Sequence, residues 1–185
     1  WIPSPSDTVP AGDITYVAEW VAIGYTITFD ANGGVGGTIN TLAYGSNLVA
    51  PIVTRDGYVF AGWLPEPPST VPAENATYTA QWEARMYEIV FDANGGDGGE
   101  TQTLNYGDVP TPPSVTRTGY SFKGWTPDIV AVTNDATYTA QWTVNTYQIT
   151  FDANGGEGGE VLAVDEGALP IPPTVSREGY TFAGW

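Results

Sequence analysis

Hydrophobic and polar residues alternate in three short stretches of the chain, at residues 25–30, 87–92 and 147–152. This period of two is typical of a β-strand with one buried face. One residue after each stretch stands an Asn-Gly-Gly sequence. These residues tolerate positive φ and let the chain reverse direction at low cost. The pattern therefore predicts the same strand and turn three times.

A second strand is predicted after each turn, for example at residues 101–106, where Leu104 and Tyr106 share one face. A proline-bearing segment follows at residues 109–113. Because proline has no amide donor, this segment is predicted to be a loop or a short helical turn that crosses between strands. It separates the opening half of the pattern from the closing half.

Two more strands are predicted in the closing half. The Arg-x-Gly-Tyr turn at residues 117–120 leads into a third strand that ends at Trp125, and residues 136–142 form a fourth. Four short strands are too few for an immunoglobulin-like sandwich. We therefore expect a mainly β fold in which each copy is a short four-stranded mixed sheet closed by the proline-bearing segment.

The pattern is a tandem repeat with a period of about 60 residues, as the recurrence of Trp20, Trp82 and Trp142 indicates. Each copy opens with Tyr-x-Ile-x-Phe-Asp-Ala-Asn-Gly-Gly or a close variant and passes through Arg-x-Gly-Tyr-x-Phe-x-Gly-Trp. Four residues separate each closing tryptophan from the next opening tyrosine, which predicts a semi-rigid array. The predicted boundaries are a closing portion at 1–20, complete repeats at 25–82 (copy 1) and 87–142 (copy 2), and an opening portion at 147–185 (copy 3).

The two incomplete copies leave two interpretations open. Either the chain is a window on a longer array, which repeat logic favours, or the closing and opening portions complete each other between neighbouring molecules. The second interpretation would be a mechanism of polymerisation. On either view, the expected partners are neighbouring repeats or further copies of the chain in a fibre.

Charge and composition remove several classes of function. The chain has 21 acidic residues against five basic ones, giving a net charge of −16. Nucleic acid is therefore not an expected partner, because phosphate binding needs clustered Lys or Arg. The chain has no Cys and no His, so thiol nucleophiles, His-based triads, disulfides and Cys/His zinc sites are excluded. It also shows no long apolar run, and we expect no direct membrane insertion in this segment.

With Phe-Asp-Ala-Asn-Gly-Gly, Arg-x-Gly-Tyr-x-Phe-x-Gly-Trp and a closing Tyr-x-Ala-x-Trp in this order, the chain resembles the Listeria/Bacteroides repeat family, also called the internalin B-repeat. The resemblance implies a compact β-grasp-like fold, tandem use in secreted or surface-anchored proteins, and no catalytic centre. The chain departs from many members in carrying Glu19, Gln81 and Gln141, rather than a basic residue, before the closing tryptophan. This departure argues against binding of anionic glycans.

The opening loops contain the strongest candidate metal ligands, because calcium prefers oxygen ligands and the oxygens here recur at alternate positions. The matching loop of copy 1 has Val35 and Thr38 where copy 2 has acids, and the spacing differs from that of an EF-hand. A glycine-rich hairpin connection is therefore the favoured interpretation, with no cofactor. The weak calcium candidates are Asp92, Asn94, Asp97, Glu100, Asp152, Asn154, Glu157 and Glu160.

Other motifs have simpler explanations. The repeated tyrosines and tryptophans could stack on sugars, but a domain this small needs large aromatic residues in its core. The glycosylation sequon at residues 75–77 has no match at 134–136, so chance explains it. A glycosidase would need a concave site that holds two carboxylates, and repeated hairpins predict none. We therefore expect no catalytic residues and no enzyme activity.

These observations together predict a structural module of an extracellular cell-surface protein. It would act as a stalk, spacer or filament building block that maintains length and stiffness. The alternative is an adhesin that binds a host surface protein or glycan through the repeat loops. A repeated binding site should repeat its polar contact residues, whereas Val35, Asp97 and Glu157 differ at one loop position. This variation favours the spacer.

Overall fold

The computed structural model of the protein describes residue 8 and residues 11–185. The chain divides into two compact units, Trp1–Arg85 and Met86–Trp185. All regular structure in the described residues is β, with strands and no helix, so the prediction of a mainly β fold is confirmed. Of the predicted closing portion at 1–20, residues 1–7, 9 and 10, including Trp1, lie outside the described residues.

Copy 1 forms one four-stranded mixed sheet. Strand β1 (Gly24–Asp30) lies between β2 (Thr38–Ala43) and β4 (Ala76–Ala84), and β3 (Tyr58–Leu64) pairs with the far side of β4. The order across the sheet is β2-β1-β4-β3. The two hairpin-like pairs are antiparallel, whereas β1 and β4 run parallel. Because parallel neighbours need a long connection, the chain between β2 and β4 has to cross over the sheet.

The parallel pair at the centre of the sheet carries the core of copy 1. Ile27 and Phe29 point to one face of β1, as their alternation predicts, and Phe29 lies opposite Tyr78 of β4 in the register. Both rings are almost completely buried, with their centroids 5.2 Å apart. Leu48, from the crossing segment between β2 and β3, and Val71, from the connection between β3 and β4, complete this cluster. Residues far apart in sequence thus close a single small core.

Copy 2 repeats this arrangement with β5 (Met86–Asp92), β6 (Glu100–Asn105), β7 (Tyr120–Thr126) and β8 (Ala136–Val144) in the order β6-β5-β8-β7. Its core contains Ile89, Phe91, Val132 and Tyr138. The predicted second strand is shifted, since β6 begins at Glu100 and ends before Tyr106, at which the chain already turns. The predicted alternation of faces is otherwise retained, because Leu104 is half-buried.

In copy 3, strands β9 (Thr146–Phe151) and β10 (Glu160–Asp165) form a two-stranded sheet. Phe151 corresponds to the buried Phe29 and Phe91, but it is only half-buried. Within residues 147–185 there is no strand that takes the place of β4 or β8. The closing strand is therefore the element that buries the opening hairpin.

The crossing segment of copy 2, residues 107–119, forms neither a strand nor a helix. The alternative of a short helical turn was therefore wrong for these residues, and a loop is present. The loop is held by backbone pairs such as the bridge between Asp97 and Thr116, and by Gln102, whose Nε2 donates to the Thr111 carbonyl at 2.7 Å.

No helix in the described part of the chain has the length and apolar character needed to cross a membrane.

Candidate functional site

The residues that define the repeat meet at the opening loop, which we define as residues 30–37 in copy 1, 92–99 in copy 2 and 152–159 in copy 3. Asn32 has a φ of 47° and Gly33 a φ of 83°, so both occupy the left-handed region that Asn and Gly tolerate best. The carboxylate of Asp30 accepts a hydrogen bond from the Asn32 amide at 2.8 Å. This short-range pair fixes the turn directly after β1.

Three glycines of the opening loop lie against neighbouring backbone. A Cβ at Gly34 would come within 2.6 Å of the Thr54 carbonyl oxygen, and one at Gly37 within 2.7 Å of the Phe29 carbonyl oxygen. A Cβ at Gly36 would overlap the Ile52 carbonyl. The same glycines in copies 2 and 3 meet the corresponding atoms. Close packing of the loop therefore requires glycine there and does not indicate a phosphate-binding site.

Two side-chain hydrogen bonds join the opening loop of copy 1 to its closing strand. Asn32 Nδ2 donates to the Ala80 carbonyl at 3.0 Å, and Trp82 Nε1 donates to the Ala31 carbonyl at 2.9 Å. In copy 2 the same two bonds, from Asn94 to Ala140 and from Trp142 to Ala93, are both 2.9 Å long. We call this reciprocal pair the loop clamp. It ties the two ends of each complete copy together.

The arginine of each Arg-x-Gly-Tyr turn contacts the same loop. Arg55 Nη1 donates to the Asn32 carbonyl at 3.4 Å, and its guanidinium carbon lies 4.0 Å from the centre of the Tyr58 ring. The equivalent arginines in copies 2 and 3 bond to Asn94 and Asn154 at 3.2 and 3.1 Å. Three of the five basic side chains of the protein thus contribute to the fold.

The weak calcium candidates are brought to the same loops but not to a common centre. The carboxylates of Asp92 and Asp152 accept from the amides two residues later at 2.8 and 2.9 Å, and Asn94 belongs to the loop clamp. Asp97 and Glu157 form backbone bridges to the crossing segment. Glu100 Oε1 accepts from Gln102 Nε2, and Glu160 starts β10. The described residues contain no group of three or more acidic side chains positioned to hold a metal ion.

The aromatic residues divide between the core and its margin. Phe29 and Tyr78 are buried, whereas Trp63 and Trp82 are half-buried and contact Phe60 edge to face at 5.4 and 5.6 Å. Trp20 is 90% exposed. A shallow groove beside Arg55 is lined in part by Phe60 and Trp82. Phe29 and Tyr78 therefore lie in the core, as the sequence predicts, and stacking on a sugar stays the less favoured alternative for the half-buried rings.

Burial also changes the chemistry of one tyrosine. Desolvation raises the pKa of Tyr78 above its ordinary value of 10.0, and the negative charge of Glu74 raises it further. Both effects disfavour the phenolate. Tyr78 lies in the core cluster, so this shift is a property of the fold.

The sequence did not reveal two polar contacts that position the strands. Asn75 Oδ1 accepts from the Thr26 amide at 2.8 Å, and Asp135 Oδ1 accepts from the Glu88 amide at 2.8 Å. The sequon asparagine thus caps the start of β1. Its counterpart in copy 2 is Asp135, because Ala76 and Ala136 occupy the same register position. The match of residues 75–77 to residues 134–136 was therefore wrong by one residue, and the shared position of Asn75 and Asp135 could have indicated a common acceptor role.

Comparison with known proteins agrees with the repeat pattern. A family model described as the Listeria-Bacteroides repeat domain matches residues 25–81, 87–146 and 147–185. A protein of Evansella cellulosilytica described as a Gly-rich membrane protein is 30% identical over 95% of this chain and 24% of its own length. Another membrane protein of that organism is 29% identical over 93% of this chain and 29% of its own length.

Internalin H of Listeria monocytogenes is 30% identical over 63% of this chain and 23% of its own length. The chain therefore spans between about a fifth and a third of the length of these relatives. No solved structure gives a significant match.

Proposed function

The chain belongs to the Listeria-Bacteroides repeat family, and we propose that it is a structural repeat module of a cell-surface protein that acts as a stalk, spacer or filament building block. The observation that carries the proposal is the loop clamp. Its two bonds differ by no more than 0.1 Å between copies 1 and 2. These polar residues of the repeat bond to the fold itself, as a structural module requires.

The shape of each copy supports the same role. We interpret the order β2-β1-β4-β3, with a parallel centre and antiparallel edges, as a β-grasp-like sheet with a proline-bearing crossing loop. Copies of this kind are joined by short spacers, since only Asn145 lies between β8 and β9. Short joints between folded domains preserve length, which is what a stalk requires.

The named relatives support the proposed location. They are named as membrane proteins and as an internalin, which supports a cell-surface or extracellular setting. The repeat family and the internalin relative also support a non-enzymatic role.

Edge strands β2 and β3 each have one side without a neighbouring strand in the sheet of copy 1. Such edges can pair with another chain, so they are the elements through which copies would associate in a filament.

The spacer role is tested by attaching a fluorescent donor and acceptor to the two ends of the 185-residue chain and measuring single-molecule energy transfer. A stalk should give a narrow distance distribution that stays unchanged between low and high salt. A glycine-serine chain of the same length is the control, because it should give a broad distribution. A distribution as broad as that of the control would contradict the spacer role.

One observation favours the adhesin as the second candidate. Copy 1 exposes four aliphatic side chains at positions where copy 2 carries Asp97, Thr101, Thr111 and Ser114. The contact of Gly36 with the Ile52 carbonyl brings the opening loop beside the crossing segment. Exposed apolar side chains gathered in one region are typical of interaction sites. The exposed residues are Val35 (69%), Ile39 (73%), Val49 (74%) and Ile52 (90%).

This alternative is tested by exchanging residues between copies. Chains carrying Val35→Asp and Ile52→Ser, the copy 2 residues, are compared with the unchanged chain for binding to immobilised extracellular-matrix proteins and glycans. An adhesin that uses copy 1 should lose binding in the variant. The reciprocal change in copy 2, Asp97→Val with Ser114→Ile, is the matched control. Absence of binding by the unchanged chain would remove the adhesin from consideration and leave the spacer intact.

A further inference from the structure

The joint between copies 2 and 3 is the place where the structure goes beyond independent repeats. Both copies belong to the compact unit Met86–Trp185. The closing strand of copy 2 ends at Val144, and the opening strand of copy 3 begins at Thr146. Asn145 is therefore the single residue between two sheets, and its contacts determine how much these sheets can move relative to each other.

All four polar groups of Asn145 are engaged. Its amide donates to the Gly119 carbonyl at 2.9 Å, and its carbonyl accepts from the Glu166 amide at 2.8 Å. Its side-chain Oδ1 accepts from the Ser121 hydroxyl at 2.7 Å, while Nδ2 donates to Glu166 Oε2 at 3.0 Å. Gly119 and Ser121 belong to copy 2 and Glu166 to copy 3, so the residue bonds to both.

Glu166 completes the joint from the side of copy 3. It lies in the turn directly after β10, and its Oε2 also accepts from the Tyr147 hydroxyl at 3.2 Å. Its carboxyl carbon lies 3.5 Å from the position that a Cβ would take at Gly119, which has a φ of 80°. The carboxylate therefore lies beside the Arg-x-Gly-Tyr turn of the preceding copy.

The backbone part of the joint recurs, but the side-chain part does not. In copy 1, the Tyr44 amide donates to the Ile23 carbonyl at 2.8 Å, which corresponds to the bond from Glu166 to Asn145. The Arg85 amide donates to the Gly57 carbonyl at 2.9 Å, which corresponds to the bond from Asn145 to Gly119. The repeat alignment, however, places Ile23 and Arg85 at the position of Asn145. It places Tyr44 and Tyr106 at the position of Glu166. Neither Ile23 with Tyr44 nor Arg85 with Tyr106 therefore pairs a side-chain amide with a carboxylate.

We propose that Asn145 and Glu166 form a lock that holds copies 2 and 3 in one fixed orientation, so that the stiffness of this joint is set by a particular residue pair. The lock rests on the proposed stalk role and deepens it by naming the positioning residues at one joint. A hydrogen bond to a charged acceptor is stronger than a neutral one. Four bonds on one residue also leave its backbone little freedom to rotate.

The test uses nuclear magnetic resonance on the full chain. Residual dipolar couplings of β7 and β8 are compared with those of β9 and β10, and amide exchange is followed at Asn145 and Glu166. The unchanged chain should fit a single alignment tensor for both copies. Asn145→Ala should require two tensors and speed exchange of the Glu166 amide about tenfold or more, as expected for loss of a charge-assisted bond. Asn134→Ala, in the exposed turn before β8, is the matched control and should change neither quantity.

A charge exchange separates the lock from a general loss of structure. Asn145→Asp places a carboxylate against Glu166 and should loosen the joint more than Asn145→Ala. When Glu166→Gln is added to that variant, the amide at position 166 can donate to the carboxylate at position 145, so the pairing is restored with donor and acceptor exchanged. A single alignment tensor should then fit both copies again. Two tensors in the unchanged chain, or no rescue by the second substitution, would overturn the lock. A flexible joint in a chain that still passes the end-to-end distance test would overturn the lock and leave the stalk role standing.

Discussion

The indole Nε1 of Trp82 donates a hydrogen bond to the carbonyl oxygen of Ala31 at 2.9 Å, across 51 residues of sequence. Trp142 makes the same bond to Ala93 in copy 2. Asn32 Nδ2 donates in the opposite direction, from the opening loop to the Ala80 carbonyl of the closing strand. The loop and the strand are therefore joined by two hydrogen bonds. The stability of a complete copy should therefore depend on these few long-range contacts, and this leads to the first two predictions.

Trp82→Phe should lower the free energy of unfolding of copy 1 by about 0.5–1.5 kcal/mol. The carbonyl of the buried Ala31 would lose the indole donor and keep only the Gly34 amide, at 3.0 Å. Amide exchange of Tyr78 and Ala80 under increasing urea measures this loss. Trp20→Phe is the control, since Trp20 is 90% exposed and should change stability by less than about 0.5 kcal/mol. Equal effects of the two substitutions would show that the indole bond does not stabilise copy 1.

Asn32→Gly and Asn32→Ala should separate the side-chain bond from backbone strain. Both lose the donor to Ala80, but only alanine is strained at a φ of 47°. The alanine variant should be less stable than the glycine variant by about 1–2 kcal/mol, the usual cost of the left-handed region. Thermal unfolding followed by circular dichroism gives the difference. The same pair of variants at Asn94, φ 50°, should repeat it, and a more stable alanine variant would contradict this account.

Gly36→Ala and Gly45→Ala both introduce a side chain at positive φ, 97° and 74°, but in different surroundings. A Cβ at Gly36 meets the Ile52 carbonyl, whereas nothing lies within 4 Å of one at Gly45. We expect Gly45→Ala to cost about 1–2 kcal/mol from strain, and Gly36→Ala to cost more because the backbone has to shift. Urea unfolding midpoints measure both, and similar losses would contradict the close approach at Gly36.

The stability of copy 1 should fall in strongly alkaline solution because of Tyr78. Burial and Glu74 raise the pKa of this tyrosine in the folded state. A raised pKa adds stability that is present in full below the unfolded pKa of about 10 and is lost as pH rises through the folded pKa. The free energy of unfolding, measured from pH 8 to 11.5, should therefore decline less steeply in Tyr78→Phe than in the unchanged chain. If the free energy of unfolding fell equally with pH in both chains, the pKa of the buried Tyr78 would not be raised.

Calcium should not stabilise the protein. Calcium takes six to eight oxygen ligands, whereas Asp92 already accepts the Asn94 amide and no group of three acidic side chains converges among the described residues. Millimolar calcium chloride should thus shift the melting temperature no more than magnesium chloride at equal ionic strength. A saturable shift that is specific for calcium and absent in Asp97→Asn would reverse this expectation.

The sequence determined the strands of this protein because strand formation there depends on local pattern. Alternation at 25–30 buries Ile27 and Phe29 on one face, and Asn32-Gly33 reverses the chain through positive φ. Both effects act between residues that are close in sequence, so they could be read directly. Small deviations, such as β6 ending before Tyr106, arise where a turn begins within an alternating stretch.

Tertiary structure alone decided what the repeated polar residues do. Asp92 and Asn94 have the composition of a calcium loop, but one caps a turn and the other bonds to Ala140, 46 residues away. Arg55 is one of few cations, yet it lies on Tyr58 and the opening loop. The parallel register of β1 with β4, and the bonds between Asn145 and Glu166, join segments whose distance along the chain conceals their contact. The hydrogen-bond partner of a side chain is whichever backbone group the folded chain places within about 3 Å of it. The local sequence pattern does not determine which group that is.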